Sequence, residues 1–381
     1  MTYRILFAIH APCDPRTAVF MNVTTRAGHL RSLGHTVDII GPEALGASRF
    51  GGLAPLILGP LLLLRGRLSS YDIVVFHSHA GWGFHALRAL IDRRGRVHTV
   101  TAFHGLEPLY HEMEELVLAR HGRRYSPRFR LLHRVVLNHL LRFSCRRSHG
   151  VFCLNSTERA WLLEHRWCRP ENLAMVANGV EKDFLPLLAP PQSVKRLLFL
   201  AQWLPRKGIR DLVEAFSSLA PANPDLQLMC VGTGQSAEVV KGQFPFSIRA
   251  RVSVFPSVDR VELLALLQSA DIFVFPSLFE GFSGALLEGM AAGLAVVATP
   301  AGAAKDLLED RRNALVVPCA DAAELARRVQ ELIDDAPLRA RLGRAAQECA
   351  SRYCWEAVNT EFAADLMAAY ARPVPKRPDA S

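Results

Sequence analysis

Short apolar runs alternate with longer amphipathic segments along this chain, and the whole alternation occurs twice. In the front half the apolar runs are RILFAI, TVDII, DIVVFHSH, VHTVTAFH and GVFCLN. In the back half they are RLLFLA, LQLMCVG, VSVFPS, DIFVFPS, AVVAT and ALVVP. Short apolar or β-branched runs separated by helical patterns are typical of βα units around a parallel sheet. The pattern therefore predicts an α/β protein with two doubly wound, Rossmann-like domains in tandem.

The segment between the two series, residues 181–195, holds three prolines and little periodicity, which predicts a linker. A chain of 381 residues also exceeds what one hydrophobic core usually organises. We expect an N-terminal domain over 1–185, a C-terminal domain over 186–354, a helix over 355–372 that packs back on the first domain, and a flexible tail over 373–381. Because ligands of open parallel sheets bind outside the carboxyl ends of the strands, two such domains facing each other would enclose a cleft.

The net charge of +9 is concentrated in the front half. Residues 1–190 hold 24 basic and 14 acidic groups, and the remainder holds 21 and 22. Most of the excess lies in residues 117–150, which contain nine arginines, four histidines and no acidic residue. This basic segment predicts contact with phosphates or an anionic membrane surface, and it is equally the pattern of a solvated helix face. No recognition motif and no aromatic interleaving accompany it, so we do not expect a nucleic-acid partner.

Targeting and membrane-spanning signals are weak in this sequence. The first ten residues, MTYRILFAIH, are too short for a secretory apolar region and have no small-residue cleavage site. The longest apolar run, 53–64, spans about twelve residues and holds two prolines, whereas roughly twenty residues are needed to cross a bilayer. The eight cysteines show no CxxC spacing, which fits a reducing compartment. We expect a cytoplasmic protein. The basic segment is also compatible with peripheral binding to the inner face of the cytoplasmic membrane.

Two glutamates, Glu280 and Glu288, lie in PSLFEGFSGALLEGMAAG, a predicted loop and helix. Glu288 would lie about 7 Å along the helix axis, whereas retaining glycosidases hold two carboxyl groups about 5 Å apart, so joint hydrolysis is not expected. The free N–H groups of Ser283, Gly284 and Ala285 would instead form a phosphate-binding site at the start of the helix. Around a diphosphate seated there, Glu288 can accept hydrogen bonds from a ribose and Glu280 from a hexose. The alternative makes Glu280 a capping acid and Glu288 a solvated helix residue.

Cations and glycines follow other predicted strands of the back half. The loop WLPRKG supplies Arg206 as a bidentate donor and Lys207 as a point charge, which together suit a diphosphate. The turn VGTG places Gly232 near the expected nucleotide, although such turns are often purely structural. In the front half, His77 and His104 follow predicted strands, and each is also compatible with a structural histidine.

Taken in order, these segments resemble the retaining glycosyltransferases of the GT-B fold, specifically glycosyltransferase family 4. The resemblance is densest over 197–350 and rests on the E-x7-E element between ADIFVFPS and GLAVVAT. VANGVEKDFLP, at 176–186, is similar to the family's inter-domain segment. The resemblance implies two Rossmann-like domains facing across a cleft. It also implies transfer of a sugar from a nucleotide-diphosphate donor with retention of configuration, and no metal or other cofactor.

The resemblance further implies a role for each residue of the predicted site. Lys207 and Arg206 would neutralise the donor diphosphate. Glu288 would bind the ribose and Glu280 the sugar hydroxyls, while His104 falls where the family places a histidine near the transferred sugar. The residues predicted to bind the donor are Arg206, Lys207, Gly232, Glu280, Phe282, Ser283, Gly284 and Glu288. The residues predicted to be catalytic are His104, Lys207 and Glu280.

Some positions depart from the family pattern. Ala201 and Gln202 stand where relatives usually have Gly-Arg, and the loop after the first strand, HAPCDPRTAV, lacks the family's glycine pair. These departures leave open a GT-B nucleotide-sugar-binding or regulatory protein without turnover, or a GT-B nucleotide-sugar epimerase. The main expectation is a transferase that acts on a saccharide or lipid-linked acceptor. The basic segment and the apolar run 53–64 favour a role in cell-envelope or exopolysaccharide synthesis.

Overall fold

The chain divides into two compact units. The computed structural model describes residues 1–15, 17–47, 49, 54–65, 68–92, 95–120, 124–184 and 196–372. One unit comprises Met1–Asn178 with Glu356–Ser381, and the other comprises Gly179–Trp355. Parts of three predicted features lie outside the described residues, namely 185–195 of the linker, 373–381 of the tail and 121–123 of the basic segment.

Within the described residues the chain forms twelve strands. They are β1 (Arg4–Ala8), β2 (Thr36–Ile40), β3 (Ile73–His77), β4 (His98–Ala102), β5 (Gly150–Cys153), β6 (Leu173–Met175), β7 (Arg196–Leu200), β8 (Gln227–Val231), β9 (Val252–Phe255), β10 (Ile272–Phe275), β11 (Ala295–Ala298) and β12 (Leu315–Val316). All neighbouring strands pair in parallel. Central strands such as β3 and β10 are buried along their whole length. Burial on both faces explains why they read as continuous apolar runs.

Sixteen α-helical segments connect these strands within the described residues. They are α1 (Ala18–Ser32), α2 (Pro42–Leu45), α3 (Ala54–Arg65), α4 (Trp82–Ile91), α5 (Glu107–Arg120), α6 (Pro127–Arg130), α7 (Asn138–Arg147), α8 (Ser156–Glu164), α9 (Ile209–Leu219), α10 (Ala237–Lys241), α11 (Arg260–Ser269), α12 (Gly284–Ala291), α13 (Ala304–Leu307), α14 (Ala322–Asp334), α15 (Ala336–Ser351) and α16 (Trp355–Tyr370). A π-helical turn, Leu131–Leu137, joins α6 to α7.

The sheet of the first unit has the order β2-β1-β3-β4-β5-β6. Successive residues of β1 point to opposite faces, so Phe7 packs under α1 and Leu6 packs toward α3 and α4. The apolar run 53–64 lies mostly in α3, whose Leu58 and Leu62 are buried in that second core. None of the described helices is both long enough and apolar enough to span a bilayer.

The last helix, α16, belongs to the first unit although it follows the whole of the second. Its Phe362 and Leu366 are buried in the core that contains Phe7 and Phe152. The helix lies very close to β5, because a Cβ built on Gly150 would be 2.9 Å from the Cβ of Ala369. Glycine at this position therefore allows the helix to seat directly on the strand.

The sheet of the second unit has the order β12-β11-β10-β7-β8-β9. One face is covered by α9, α14 and the start of α15, and the other by α11, α12 and the end of α15. The strand order runs outward in both directions from β7 and β10, so the topological switch point lies between them. The predicted fold class, two doubly wound Rossmann-like domains, is confirmed by these two sheets.

The chain passes between the units twice. Within the second unit, Val180 and Cys354 form a parallel bridge, and Gly179 lies against Trp355 so closely that a Cβ would be 2.7 Å from the indole. The structure places the first crossing at 178/179, whereas the sequence indicated 185/186. The sequence analysis also missed β6, which is only three residues long and partly exposed.

Candidate functional site

A group of largely buried charged side chains lies at the switch point of the sheet in the second unit. The loop after β7 and the loop after β10 leave neighbouring strands at their carboxyl ends. The backbone joins these loops directly, because the N–H of Leu278 donates to the carbonyl of Arg206 at 2.8 Å. Ligands of open α/β sheets bind at such positions.

Three predicted residues meet here. Lys207 Nζ donates to Glu280 Oε1, and Arg206 Nη1 lies 3.6 Å from Glu280 Oε2. Ser277 Oγ also donates to Glu280 Oε1, at 2.8 Å. The side chains of Lys207 and Glu280 are only 12% and 8% exposed, so the charges are held largely away from water. Charged groups in this setting interact more strongly than they would on an open surface.

Two glycines permit this arrangement. Gly208 has φ +69°, and a Cβ there would lie 1.9 Å from the carbonyl oxygen of Pro276. Gly302 has φ +58°, and a Cβ there would lie 2.1 Å from the carbonyl oxygen of Glu280. Both conformations are unfavourable for residues with a side chain. The two glycines therefore let neighbouring loops close on the segment that carries Glu280.

Burial and the neighbouring charges shift the pKa of Lys207 in different directions. Burial lowers the pKa of Lys207, Glu280 raises it, and Arg206 lowers it again. The carboxylate of Glu280 is thus the group that favours the ammonium form in this position. A phosphate placed beside the two cations would have the same effect.

The start of α12 lies eight residues beyond the end of β10 and offers unpaired donors. Ser283 caps the helix by accepting from the N–H of Leu286 at 3.4 Å. Among the described residues, the N–H groups of Ser283, Gly284 and Ala285 donate to no protein acceptor. A Cβ on Gly284 would meet nothing within 4 Å, so the space in front of the helix is open. This end of α12 can therefore receive an anion.

Ser283, rather than Glu280, is the cap of α12, so the structure does not support the alternative in which Glu280 is a capping acid. Phe282, just before the cap, is partly buried and packs against the second core of the unit. Its ring centroid lies 6.2 Å from that of Tyr353. These contacts fix the loop that leads into the helix.

Glu288 lies one turn into α12 and is partly buried. Its carboxylate forms no ion pair with any residue that the structure describes. Burial raises the pKa of Glu288 to about 7, an effect that Arg260 partly offsets. A half-buried carboxylate without a partner is an unusual use of glutamate in a helix, and it leaves the group available to hydroxyl donors.

Gly232 is held by the protein itself. Its φ is +69°, and its N–H donates to the carbonyl of Phe255 at 2.8 Å. Gly234 similarly donates to Pro256 at 2.9 Å. The turn after β8 is therefore fixed to the end of β9, and the N–H of Gly232 is not available to a ligand.

The first unit has a histidine cluster at its own switch point, between β1 and β3. His77 and His104 stack with ring centroids 4.6 Å apart and an interplanar angle of 11°. The centroid of His10 lies 6.4 Å from that of His104. Neither ring nitrogen of His77 or His104 has a hydrogen-bond partner in the described part of the chain.

The histidine cluster is uncharged near neutral pH. Burial lowers the pKa of His77 and of His104 well below the usual range, and the nearby Arg26 and the other histidines lower it further. Burial also lowers the pKa of His10 to about 4. Neutral, unpartnered imidazoles can donate and accept hydrogen bonds at the edge of the sheet. The described residues contain no group of three or more histidine, cysteine or acidic side chains placed to hold a metal ion.

The sequence analysis did not single out Ser277, Gly302 or His10. Serine after a strand and glycine in a loop are too common to signal a role by themselves. Their importance depends on partners from distant parts of the chain, such as Glu280 for Gly302. His10 was passed over because it directly follows the first strand in a loop without the expected glycine pair.

Comparisons with known proteins place both units in glycosyltransferase families. Residues 186–349 match the family model described as glycosyl transferases group 1. Residues 23–184 match the model described as glycosyltransferase family 4. Together the two models cover residues 23–349 except 185, and they leave out β1 and α16.

Similar proteins of known name include glycosyltransferases with several acceptors. A phosphatidyl-myo-inositol mannosyltransferase of Mycobacterium leprae is 31% identical over 219 residues, which are 56% of this chain and 57% of that protein. A D-inositol 3-phosphate glycosyltransferase of Corynebacterium aurimucosum is 28% identical over 53% of this chain and 52% of that protein. The matched region thus spans only a little more than half the length of these relatives.

Solved structures share the fold over almost the whole chain. Sucrose-phosphate synthase from Thermosynechococcus elongatus superposes with a TM-score of 0.73 at 18% identity, covering 95% of this chain and 98% of that one. Anabaena HepE, solved in complex with UDP and glucose, has a TM-score of 0.67 at 18% identity and covers 96% and 99% of the two chains. From the two family models and this common fold, we conclude that the chain belongs to the GT-B glycosyltransferases of family 4 type.

Proposed function

We propose that this protein is a retaining glycosyltransferase that moves a sugar from a nucleotide-diphosphate donor to a saccharide or lipid-linked acceptor, without a metal ion. The observation that carries the proposal is the meeting of Lys207, Arg206 and Glu280 at the switch point of the second sheet. It is supported by the family models and by HepE, a relative in fold that was solved with UDP-glucose.

The donor diphosphate would be held by cations and backbone donors. Lys207 and Arg206 would contact its oxygens, and the N–H groups at the start of α12 would donate to them. Glu288, one turn along the helix, would accept hydrogen bonds from the ribose. As phosphate oxygens approach Lys207, Glu280 would be released to accept hydrogen bonds from hydroxyls of the sugar while it keeps its bond from Ser277.

In the reaction, the bond between the anomeric carbon of the sugar and the oxygen of the diphosphate breaks. The acceptor oxygen forms its new bond to the same carbon on the same face, and its proton passes to the departing phosphate oxygen. Lys207 and Arg206 would stabilise the negative charge that develops on the leaving group. No protein base is needed for this step, and His104 of the first unit would position the transferred sugar through its neutral ring.

We further propose a lipid-linked or saccharide acceptor in cell-envelope or exopolysaccharide synthesis, used at the inner face of the cytoplasmic membrane. The names of the relatives include an acceptor that is a phosphatidylinositol lipid. In the first unit, Leu131, Val135 and Val136 are exposed in the π-helical turn beside the exposed Arg134. Exposed apolar side chains beside basic ones favour an anionic bilayer surface. Equal flotation with neutral and anionic vesicles would contradict this part of the proposal.

Transfer can be tested by incubating the protein with UDP-, GDP- and other nucleotide-linked hexoses and following release of the nucleotide. Lys207→Ala and Glu280→Ala should abolish turnover, because each removes a charge at the switch point. Lys241→Ala, which removes the same charge from α10, serves as the matched control and should leave turnover unchanged. NMR of the product gives the anomeric configuration, and turnover that persists in EDTA supports the absence of a metal. Inversion of configuration would refute the retaining mechanism.

A second candidate is a nucleotide-sugar-binding or regulatory protein that has lost turnover. It is favoured by Gln202, which is exposed in the loop after β7 where relatives usually carry an arginine. Calorimetry that detects nucleotide-sugar binding, together with no release of nucleotide for any acceptor, would favour this candidate. Conversion of the bound sugar to its epimer without transfer would favour an epimerase.

A further inference from the structure

A cavity of about 510 Å³ lies in the helical layer of the first unit. Its walls come from α5, the π-helical turn, α7, α8 and the segment that follows α8. The lining residues are Pro108, Glu112, Arg134, Asn138, His139, Arg142, Trp161, His165 and Trp167. None of them belongs to the histidine cluster at the switch point of this sheet. The cavity is therefore separate from the candidate sites at the two switch points, and it shares only Arg134 with the exposed surface of the π-helical turn.

One wall of the cavity is aromatic. The rings of Trp161 and His165 stack with centroids 3.9 Å apart and an interplanar angle of 16°. The ring of Trp167 stands across that of Trp161, with centroids 5.0 Å apart and an angle of 72°. Trp161 Nε1 donates to Glu112 Oε2 at 3.2 Å, which fixes the orientation of the indole. A rigid aromatic face of this kind suits the apolar C–H face of a pyranose ring.

The lining of the cavity also includes two arginines, Arg134 and Arg142. Arg134 is paired with Glu115, but Arg142 forms no ion pair with any described residue, and its Nε is buried without a hydrogen-bond partner. Burial lowers the pKa of the neighbouring Arg146, and the guanidinium groups of Arg142 and Arg166 lower it further, so the three groups repel one another. A buried donor without an acceptor and a cluster of like charges are both relieved by an anion.

Two further polar side chains in the lining restrict the kind of ligand that the cavity can hold. The carboxylate of Glu112 and the amide of Asn138 line the same cavity and can bond to hydroxyl groups. The negative charge of Glu112 would repel a ligand that carries several negative charges. A volume of about 510 Å³ is within the usual range for small-molecule sites.

We propose that this cavity binds an anionic saccharide, namely a pyranose ring that carries a phosphate or a carboxylate group. The ring packs on the aromatic wall, its hydroxyl groups bond to Glu112 and Asn138, and its anionic group binds Arg142. Such a ligand is either a soluble sugar phosphate or uronic acid, or the headgroup of a lipid. The site does not depend on the proposed transfer reaction, since it lies among helices of the first unit alone.

The test is calorimetric titration of the full chain with glucose 6-phosphate, glucuronate, glucose and inorganic phosphate. We expect glucose 6-phosphate and glucuronate to bind at least tenfold more tightly than glucose or inorganic phosphate. Arg142→Gln should weaken binding of the two anionic sugars at least tenfold, and Arg142→Lys should weaken it less. Arg128→Gln, which removes an exposed charge from the same basic segment outside the cavity, is the matched control and should change nothing.

Glucose 6-phosphate also resembles part of a sugar-nucleotide donor, so the titration is repeated with Lys207→Ala. Binding that persists in this variant supports the cavity, and binding lost there overturns the proposal. Equal affinity for inorganic phosphate and glucose 6-phosphate, or an Arg142→Gln variant that binds as the parent does, also overturns it. Vesicles of phosphatidylinositol distinguish the sources, because competition by these vesicles with glucose 6-phosphate indicates a lipid headgroup and its absence a soluble saccharide.

Discussion

Replacing Glu280 by glutamine is expected to strengthen binding of a nucleoside diphosphate while it reduces sugar transfer. The carboxylate of Glu280 contacts Lys207 and lies 3.6 Å from Arg206. It therefore competes with phosphate oxygens for both cations. Glutamine keeps the size of the side chain and an acceptor for the Ser277 hydroxyl, but it removes the competing charge.

The size of the effect follows from Coulomb's law. Two unit charges about 4 Å apart interact by about 1 kcal/mol in water and by about 4 kcal/mol at an effective dielectric constant near 20. Arg206 is 20% exposed, so part of this interaction is screened. We expect a gain of about 1 to 2 kcal/mol in binding free energy, which corresponds to an affinity roughly five to thirty times higher.

Calorimetric titration with UDP and with GDP measures this change, and the thermal midpoint shows whether the fold is intact. The gain should shrink as the salt concentration rises from about 0.05 M to about 0.5 M, because salt screens the charges. Glu238→Gln, which removes an exposed carboxylate of α10, controls for net charge. Unchanged or weaker nucleotide binding in a folded Glu280→Gln protein would refute the view that Glu280 competes for the phosphate cations.

Further predictions concern stability and pH, and urea unfolding measures all of them. Because burial raises the pKa of Glu288 to about 7, the contribution of this group to stability is complete below its unfolded pKa and is lost as pH rises through 7. Glu288→Gln should therefore be more stable than the parent by about 1 to 3 kcal/mol at pH 8 and show little difference at pH 4. Equal stability of the two proteins at pH 8 would contradict the burial of this carboxylate. Gly208→Ala should lower the unfolding free energy by about 3 kcal/mol, because its methyl group meets a backbone oxygen. The control is Gly234→Ala, where φ is +63° but the space around the new methyl group is open, and it should lose only about 1 kcal/mol. Equal losses in the two variants would argue against the clash at Gly208. Gly150→Ala should lower the unfolding free energy by about 1 to 3 kcal/mol, because the methyl group meets α16. The control Gly28→Ala, at an exposed position of α1, should instead raise the unfolding free energy by about 0.5 to 1 kcal/mol. A Gly150→Ala protein as stable as the parent would mean that the helix moves freely on the sheet.

The alternation of apolar runs and amphipathic segments was sufficient to predict both sheets and their parallel arrangement. Buried parallel strands have a strong local signal, because both faces must be apolar. The strand β6 was missed because its three residues, LAM, are partly exposed and read as part of a loop. The predicted domain limit at 185/186 lies between the two family-model matches, which end at 184 and begin at 186, whereas the compact units divide seven residues earlier, at 178/179. The prolines that suggested a linker lie beyond the bridge of Val180 with Cys354.

The candidate site was predictable in its residue types but not in its contacts. The order of segments placed Lys207 and Glu280 after strands, but only the strand order showed that those strands are neighbours. The need for glycine at 208 and 302 arises from backbone approaches between distant loops, which no local pattern records. The cavity of the first unit was missed because its lining residues come from several separate helices, with Glu112 and Trp161 49 residues apart along the chain.

The late position of α16 has a consequence for synthesis on the ribosome. When the strands of the first unit have emerged, α1 can pack on the face that contains Phe7 and Phe152, but this face still lacks Phe362. The part that α16 covers stays exposed until Gly179–Trp355 has been translated. At about 5 to 20 residues per second, that interval lasts roughly 10 to 35 s. The uninterrupted second unit can thus reach its native state before the first, and the part of the first sheet that α16 covers stays open to non-native contacts during this interval.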